Sequence, residues 1–528
     1  MLFYQLDLLK DMDELVLFSF DDYAIQFKHG VYLDLLQAVK YEENPVLTGG
    51  EEGSSDAFGI VFNGTVLYLD GKFRMWYVAL PVSRTEAILK SLYEIGYAES
   101  EDGIHWTKPR LRLVEHNGSF DNNLCLLEPR GSPFTRIIDC VGVMHDPDDP
   151  DPARKYKMIY LARVPREGVR ESREVVASYE GKVSNWSGAN SRPIFHAACS
   201  EDGFRWRAVS DKALVDIEFF EGFGVYKFGE FYYAVGQSGW PSIALPEDKF
   251  CGRTMIAFRS KDFIEWSNVP AFAFIRPGYR PAPHSSGEEA HLGAGIWNRG
   301  NVLIGLYGQW HGHPKASGIW DRRDLIKMDV GLIVSNDGIH YREPCTDFAV
   351  IPGGGESEWD HGALMFGQAF ANVGNQTYIW YGGPWWANWP HLQEEHPAVG
   401  LATLRRDGFG YLRLQNEFYN RGSFITCPIR LAGTDGARLY VNAEGLSDSS
   451  FIQVDLMGMD LRPISGYSGS DSVRITRSGL REQVVWRGRE VISGLKESTF
   501  MIKAHFHGTE KETPKVYALY LVPTRDRT

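Results

Sequence analysis

Acidic residues stand immediately before apolar, aromatic-rich stretches at widely separated places in the sequence. Three of them follow one another in the order Asp, Asp, Glu: Asp56 in SSDAFGIVF, Asp139 in TRIIDCVGVMHD and Glu221 in FFEGFGVYKFGEFYY. Two carboxyl groups in different environments, one ionised and one protonated, are what general acid–base or nucleophilic chemistry requires. Glu221 has phenylalanine residues on both sides, and burial beside aromatic rings keeps a carboxylic acid protonated. We therefore take Glu221 as the candidate general acid.

The elements that would position these acids repeat along the chain. A Ser-x-Asp-Gly-x-x-aromatic motif, or a variant of it, occurs five times, and its closing aromatic residues stand at positions 106, 206, 266, 341 and 411. Asp and Gly at these offsets predict a β-turn in which the carboxylate binds turn amides, the glycine takes a positive φ and the aromatic side chain packs between neighbouring sheets. We interpret the motif as structural and not catalytic.

A second repeat precedes each copy of this motif. It consists of a short apolar strand, a turn and a strand rich in aromatic residues, in the ranges 64–79, 141–162, 223–236, 293–308 and 370–383. Each range predicts the inner hairpin of a four-stranded unit. Five hairpins and five turn motifs predict a five-bladed β-propeller over about residues 48–411, with a six-bladed, sialidase-type propeller as the second choice.

The pattern of apolar and polar residues changes after position 411. Short segments between 438 and 522 alternate apolar and polar residues between turn residues, which is typical of a β-sandwich. The 55 Gly, 26 Pro, 15 Trp and 25 Tyr of the whole chain also favour short strands over helices. We predict an all-β fold: an N-terminal segment (1–47) that packs on the propeller, a five-bladed β-propeller catalytic domain (48–411) and a C-terminal β-sandwich (412–528).

In a propeller the first strands of all blades begin around one axial funnel, so Asp56, Asp139 and Glu221 are expected to converge there. At this point the sequence resembles the five-bladed glycoside hydrolases of the invertase/levansucrase and arabinanase/xylosidase superfamily. EGFGVYK (221–227) resembles the Glu-Gly-x-x-x-Tyr-Lys strand that carries the general acid in the arabinanase-like branch. PISGYSGSDSVRI (463–475) lies in a region that resembles the rear sandwich of the invertase branch.

The resemblance implies a glycosidase that acts from the chain end on a terminal furanoside, a fructofuranoside or an arabinofuranoside, of an oligosaccharide. Asp56 would be the nucleophile or general base and Glu221 the general acid. Asp139 would bind sugar hydroxyls and stabilise the oxocarbenium-like charge, a role for which Asp121 is the rival. Analogy with the invertase branch favours retention of configuration.

Two alternatives stay open at the level of sequence. One is a transglycosylase or a glycoside phosphorylase on the same fold. A phosphorylase would need a phosphate-binding cluster, for which the candidates are Arg276, Arg280 and His284. The other is a propeller that binds carbohydrate without cleaving it, because such a protein needs only the aromatic residues.

Aromatic and histidine side chains gather near the fourth and fifth blades. Indole rings can stack on sugar faces, and imidazoles can hydrogen-bond to sugar hydroxyls. With the acids that precede these inner strands, they form the candidate substrate-binding set: Glu289, Trp310, His311, His313, Asp360, His361, Trp385 and Trp386. The histidines lack the spacing of a zinc site, so we expect no metal or cofactor in the reaction, although the sequence is compatible with a structural calcium or sodium.

The net charge of the chain limits the classes of partner, and its cysteines indicate the cellular compartment. The formal net charge of −13 excludes nucleic acid and an anionic membrane surface as the main partner, because both require clustered Lys and Arg. The sequence has no secretion signal and no apolar stretch of ~18 residues, and its six dispersed cysteines predict free thiols. We expect a cytoplasmic protein whose partner is an oligosaccharide or glycoside, and a homo-oligomer is compatible with the sequence.

Overall fold

The structure of the protein is a computed structural model. It describes residues 4–5, 14–83, 87, 92–165, 191–215, 220–238, 253–276, 287–315, 325–385, 396–415, 420–431, 434, 436–495, 499–509 and 511–524. Nearly all regular structure in these ranges is β-strand, and the helical elements named are three short 3₁₀ turns, Pro133–Thr135, Pro152–Arg154 and Gly469–Asp471.

Five N-terminal strands precede five antiparallel units. The N-terminal strands are β1 (Tyr4–Gln5), β2 (Leu15–Phe18), β3 (Ile25–His29), β4 (Val31–Leu35) and β5 (Val39–Lys40). Unit 1 contains β6 (Gly59–Leu69), β7 (Lys72–Leu80) and β8 (Glu94–Ser100). Unit 2 contains β9 (Leu126–Glu128), β10 (Ile137–His145), β11 (Tyr156–Pro165), β12 (Ser191–Ser200) and β13 (Arg205–Ala208).

The remaining units follow in chain order. Unit 3 contains β14 (Phe220–Phe228), β15 (Phe231–Ser238), β16 (Thr254–Ser260) and β17 (Ala271–Phe274). Unit 4 contains β18 (Glu289–Asn298), β19 (Leu303–His311), β20 (Lys327–Ser335) and β21 (Ala349–Ile351). Unit 5 contains β22 (Ala363–Val373), β23 (Gln376–Trp385) and β24 (Ala398–Arg405), and β5 pairs with β24 as its outermost strand.

The first strands of the five units, β6, β10, β14, β18 and β22, form a closed ring in which each contacts the next and β22 contacts β6. Glycines permit this close approach. A Cβ atom at Gly142 would lie 2.2 Å from the carbonyl oxygen of Phe223, and one at Gly224 would lie 2.2 Å from that of Ala294. A closed ring of antiparallel units is a β-propeller, so the predicted all-β propeller is confirmed, and the described residues form five units around the ring.

The C-terminal region forms two sheets around their own apolar core, as the sequence predicts. Their strands are β25 (Gly410–Leu414), β26 (Arg421–Thr426), β27 (Ile429–Arg430), β28 (Gly436–Glu444), β29 (Phe451–Gly458), β30 (Gly479–Gln483), β31 (Ile492–Ser493), β32 (Thr499–His507) and β33 (Lys515–Pro523).

The N-terminal segment is built into this sandwich more deeply than the sequence predicts. Strands β1, β2, β3 and β4 pair with β27, β33, β26 and β25, respectively. In β2, Leu15 and Leu17 join the sandwich core, whereas Val16 and Phe18 join the core of the propeller. Alternation of side chains along a strand lets one buried strand serve both cores. The segment therefore contacts the propeller core as part of the sandwich sheets.

The repeated turn motif fastens neighbouring units. In the copy at 100–106, the Ser100 hydroxyl donates to Asp102, and Asp102 Oδ1 accepts the two following turn amides at 2.9 and 2.8 Å. The copies that begin at positions 200, 260 and 335 repeat these bonds. The Trp380 indole of unit 5 donates to the Gly103 carbonyl of unit 1 at 2.8 Å. The structural interpretation of the motif is confirmed.

Candidate active site

Asp139 and Glu221 lie at the same height on neighbouring first strands. Each stands three residues before the glycine that contacts the next strand of the ring, Gly142 after Asp139 and Gly224 after Glu221. On the second strand of each unit, the residue that pairs with the acid lies two positions from the residue that pairs with this glycine. Strands β10 and β14 contact each other, so the ring brings these two predicted acids to the same level.

Each of these two carboxylates accepts a hydrogen bond from an amide side chain. Asn63 of β6 donates from Nδ2 to Asp139 Oδ1 at 2.5 Å, and the Cys140 backbone N–H donates to the same oxygen at 2.9 Å. Gln237 of β15 donates from Nε2 to Glu221 Oε2. Asp139 is buried, whereas Glu221 is half-buried. The two acids therefore have different environments, as acid–base chemistry requires.

A buried ion pair lies close to Glu221. Arg253 Nη1 is 3.4 Å from Glu289 Oε2, and both side chains are buried. Burial lowers the pKa of the Arg253 guanidinium, and the charges of Glu289 and Glu221 oppose this shift. The predicted ligand Glu289 thus has a protein cation as a partner.

Trp310 supports this ion pair. The guanidinium carbon of Arg253 lies 4.2 Å from the centre of the Trp310 ring system, and the His291 ring lies 5.4 Å from it. Trp310 is fully buried, so its indole is packed within the protein and is not offered to solvent for stacking on a sugar. The structure therefore gives Trp310 a packing role in place of the expected sugar contact.

His311 lies between two carboxylates. Its Nδ1 is 2.8 Å from Glu288 Oε2, and its Nε2 is 3.2 Å from Asp329 Oδ2. Burial favours the neutral imidazole, but hydrogen bonds to Asp329 and Glu288 outweigh burial and raise the pKa of His311 to about 9. Arg276 also binds Glu288, at 2.7 Å, and binds Asp347. Protein carboxylates thus engage both His311, a predicted sugar ligand, and Arg276, a candidate for phosphate.

Asp56 precedes β6 by three residues, and both of its carboxylate oxygens have protein partners. Its Oδ2 accepts the Tyr77 hydroxyl at 2.7 Å and lies 2.6 Å from Lys108 Nζ. Its Oδ1 accepts the Gly50 backbone N–H at 3.1 Å. The Tyr77 hydroxyl in turn accepts a hydrogen bond from Asn123 at 2.7 Å. Asp56 is 2% exposed.

Asp360 repeats this arrangement in unit 5. Its Oδ2 accepts the Tyr381 hydroxyl at 2.8 Å and lies 2.7 Å from Lys40 Nζ. The Tyr381 hydroxyl accepts a hydrogen bond from Asn44 at 3.4 Å, and the tyrosine follows the aspartate by 21 residues, the spacing that also separates Tyr77 from Asp56. Gly354 donates its N–H to the Asp360 carbonyl, as Gly50 does to that of Asp56. Both aspartates therefore belong to one repeated buried network.

In unit 1, a different residue lies at the height of the two central acids. Pairing with the second strand identifies Val61 of β6 as the residue that corresponds to Asp139 and Glu221 in their units. Val61 is 1% exposed. Asp56 precedes the first residue of β6, Gly59. The structure thus places Asp139 and Glu221 at one level on adjacent strands and places Asp56 in the network with Tyr77 and Lys108. The convergence of all three acids stays a prediction.

The other predicted residues lie in several places. His313 Nδ1 accepts the Lys315 backbone N–H at 3.2 Å, and His361 Nδ1 is 2.8 Å from the Glu358 carbonyl. Asp121 pairs with Arg110 at 2.9 Å on an exposed loop. Four predicted groups lie outside the described residues: the side chain of Trp385, and Trp386, Arg280 and His284.

Gln368 of β22 closes the centre of the ring. Its Oε1 accepts the backbone N–H of Val225 at 3.0 Å and that of Ile296 at 3.4 Å. Its Nε2 donates to the carbonyl oxygens of Val143 at 3.1 Å and Val225 at 2.9 Å. Gln368 also lines a cavity of about 460 Å³ that all five first strands share towards their ends. Gln368 thus lies between this cavity and the level of Asp139 and Glu221.

Sequence reasoning missed four polar residues of this region. Asn63, Gln237 and Gln368 stand in otherwise apolar strands, in VFNGTV, YAVGQS and MFGQAF, and Arg253 directly precedes β16. An isolated amide in a buried strand indicates a hydrogen-bonding task, because burial of a polar group without a partner is unfavourable. That signal was available, but the sequence alone does not show which groups the amides bind.

No group of three or more His, Cys, Asp or Glu side chains in the described ranges has the arrangement of a metal site. No helix in the described part of the chain is long and apolar enough to cross a membrane.

Comparison with known proteins gives similarities only at the level of structure. No protein-family model matches the chain, and no curated relative matches it. The solved structures that it resembles include glycoside hydrolases. A glycosyl hydrolase from Bacteroides ovatus has a TM-score of 0.41 at 13% identity and covers 70% of this chain and 94% of its own. A Bombyx mori β-fructofuranosidase of family GH32 has a TM-score of 0.36 at 14% identity and covers 87% and 92%.

A third structure comes from work on the GH130 family of mannoside phosphorylases, which contains glycoside hydrolases that target β-1,2-mannosidic linkages in Candida mannan. It has a TM-score of 0.40 at 13% identity and covers 70% of this chain and 94% of its own. The neighbours are of the kind that the sequence resemblance predicts. At TM-scores this low they carry no weight for the activity, which depends on the geometry of this chain's own residues.

Proposed function

We propose that the protein is a glycosidase in which Glu221 protonates the glycosidic oxygen and Asp139 stabilises positive charge at the anomeric carbon. The observation that carries the proposal is the placement of these two carboxylates at one height on adjacent first strands, one buried and one half-buried. As Glu221 gives its proton to the glycosidic oxygen, the bond from that oxygen to the anomeric carbon breaks and its electron pair stays on the oxygen. Water then supplies a hydroxyl to the carbon and a proton that restores the acid.

A terminal furanoside of an oligosaccharide is the proposed substrate. The strand EGFGVYK, which resembles that of the arabinanase-like branch, supports the furanoside. Gln368 supports cleavage of the terminal sugar of the substrate. Its hydrogen bonds to β10, β14 and β18 close the ring beneath the two acids, so the site is a pocket and not an open channel. We assign Asp56 a structural role, since the equivalent Asp360 has the same partners.

Hydrolysis of a panel of aryl furanosides and pyranosides tests the proposal. We expect turnover of at least one furanoside, and a loss of about 100-fold or more in both Glu221→Gln and Asp139→Asn. Asp121→Asn is the matched control, because it changes an acid of the same region that lies on an exposed loop, and it should retain full activity. Nuclear magnetic resonance of the first product shows whether the anomer is retained, as the sequence favours, or inverted.

The outcomes separate the alternatives. Binding of sugars without turnover in the wild type would show a carbohydrate-binding propeller. Turnover that requires inorganic phosphate would show a phosphorylase, and turnover that is unchanged in Glu221→Gln would remove Glu221 as the acid.

A further inference from the structure

A row of side chains crosses the outer face of one sandwich sheet. Arg421 of β26 pairs directly with His507 of β32, and on its other side His507 pairs with Phe451 of β29. The adjacent residues along β32 and β29, Phe506 and Ile452, belong to the sandwich core. Because side chains alternate along a strand, the row lies on the face that points away from this core.

The Phe451 ring connects this row to a second arginine. The His507 ring stacks on it, with 4.4 Å between the ring centres and 10° between the ring planes. The guanidinium carbon of Arg474 lies 4.4 Å from the centre of the same phenyl ring, and the face of an aromatic ring attracts a cation. Arg421, Arg474 and His507 therefore form one group, which we call the cationic cluster.

The two arginines of the cationic cluster are exposed, and His507 is half-buried. In the described part of the chain, no carboxylate forms an ion pair with Arg421 or Arg474. An acid on the same sheet face, Asp455, is already engaged. It pairs with His505 at 3.1 Å and accepts hydrogen bonds from the Ser472 hydroxyl and the Gly469 backbone N–H.

The charges of the cluster act on one another. Burial lowers the pKa of His507, and the charges of Arg421, His505 and Arg474 lower it further. These are the charged groups that act on His507 among the described residues. Like charges placed side by side in a sheet are unfavourable, and here they gather on a chain whose net charge is −13. A bound anion would relieve this repulsion.

We propose that the cationic cluster binds a dianionic oxyanion, a sulfate or phosphate group, on the outer face of the sandwich. Arg421 and His507 would donate hydrogen bonds to its oxygens, because a guanidinium presents a planar fork of N–H donors and a protonated imidazole donates from both nitrogens. Arg474 would add positive charge. The inference goes beyond the proposed function and does not depend on it, since Asp139 and Glu221 lie in the propeller.

Nuclear magnetic resonance of the histidine Cε1–H groups tests the proposal on the full chain. The signal of His507 is identified by its loss in His507→Gln, and its shift with pH gives the midpoint of protonation. Sulfate is the probe, because it keeps both charges across the titration, and sodium chloride holds the ionic strength constant. We expect sulfate to raise the His507 midpoint by about half a pH unit, because a bound anion favours the charged imidazole.

Arg421→Gln removes one cation and keeps a polar side chain. Without sulfate, the His507 midpoint should rise in this variant, because the charge that opposes protonation is gone. Sulfate should then raise it no further. Arg474→Gln should respond to sulfate more weakly than the wild type, because the field at the site is reduced.

Arg477→Gln is the matched control. Arg477 is an exposed arginine three residues after Arg474, and it pairs with Glu482 at 3.2 Å. The variant should respond to sulfate as the wild type does. A His507 midpoint that sulfate leaves unchanged in the wild type, or that rises equally in Arg421→Gln, would overturn the anion site.

A free ion and a charged polymer are the two sources of such a group, and dextran sulfate separates them. It is compared with free sulfate at equal concentrations of sulfate groups. A half-maximal shift at a concentration about tenfold lower with the polymer would support a site for a polymer-borne group, because neighbouring groups rebind. Equal concentrations would support a site for the free ion. Absence of glycosidase turnover would leave all these results unchanged.

Discussion

Asn63 donates a hydrogen bond to Asp139 between the first strands of units 1 and 2, with 2.5 Å between Nδ2 and Oδ1. Both side chains are buried, so the amide replaces hydration that the carboxylate has lost. Asn63→Leu removes the donor at nearly constant size, and we expect the free energy of unfolding in urea to fall by about 1–3 kcal/mol. The same substitution should cost less in an Asp139→Asn background, where no charge remains. Equal costs in the two backgrounds would show that these residues are not coupled.

The repeated networks around Asp56 and Asp360 predict similar losses of stability. Each aspartate is almost fully buried and pairs with a lysine, Lys108 or Lys40. Asp56→Asn and Asp360→Asn should each lower the free energy of unfolding by about 3 kcal/mol, because each removes the carboxylate charge that pairs with a lysine. Chemical denaturation measures both values.

Activity measurements complete this comparison. If Asp56 is structural, any Asp56→Asn protein that remains folded should cleave substrate at a rate similar to that of Asp360→Asn. Loss of turnover in Asp56→Asn alone, with stability unchanged, would return Asp56 to the role of nucleophile.

Local patterns in the sequence predict the fold well and the site in part. The turn motif identifies the units because Ser, Asp and Gly act within one turn, and Glu221 is identified by its own strand. The level of Asp56 could not be predicted, because Asp56 precedes β6 and bulges decide which residue of a first strand lies at the level of the ring. The bulge between Val61 and Thr65 is a property of strand pairing, which alternation of apolar residues does not reveal.

Gly103 tests the fastening role of the turn motif. It has a φ of 79°, and an added Cβ would lie 2.8 Å from the Trp380 ring of the neighbouring unit. Gly118 has a φ of 80° with no atom within 4 Å of such a Cβ. Gly118→Ala should therefore cost only the backbone strain, about 1 kcal/mol, whereas Gly103→Ala should cost about 2 kcal/mol more because Trp380 must move. Thermal unfolding compares the two, and equal costs would contradict a packed contact between units 1 and 5.

The carboxylates around His311 predict a fall in stability towards alkaline pH. The pKa of His311 is raised from 6.5 to about 9 in the folded protein, so the folded state holds this proton more tightly than the unfolded chain. The stabilisation is complete below about pH 6.5 and is lost as the pH rises to about 9. The side chain is 32% exposed, and solvent screening reduces the effect to about 2 kcal/mol over that interval.

His311→Gln isolates this contribution. The variant cannot take up the proton, so the difference in unfolding free energy between wild type and variant should shrink steadily as the pH rises to about 9. His313→Gln is the control, because His313 lies two residues away and its Nδ1 accepts only a backbone N–H in the described structure. A difference that stays constant with pH would show that Glu288 and Asp329 do not hold His311 in its charged form.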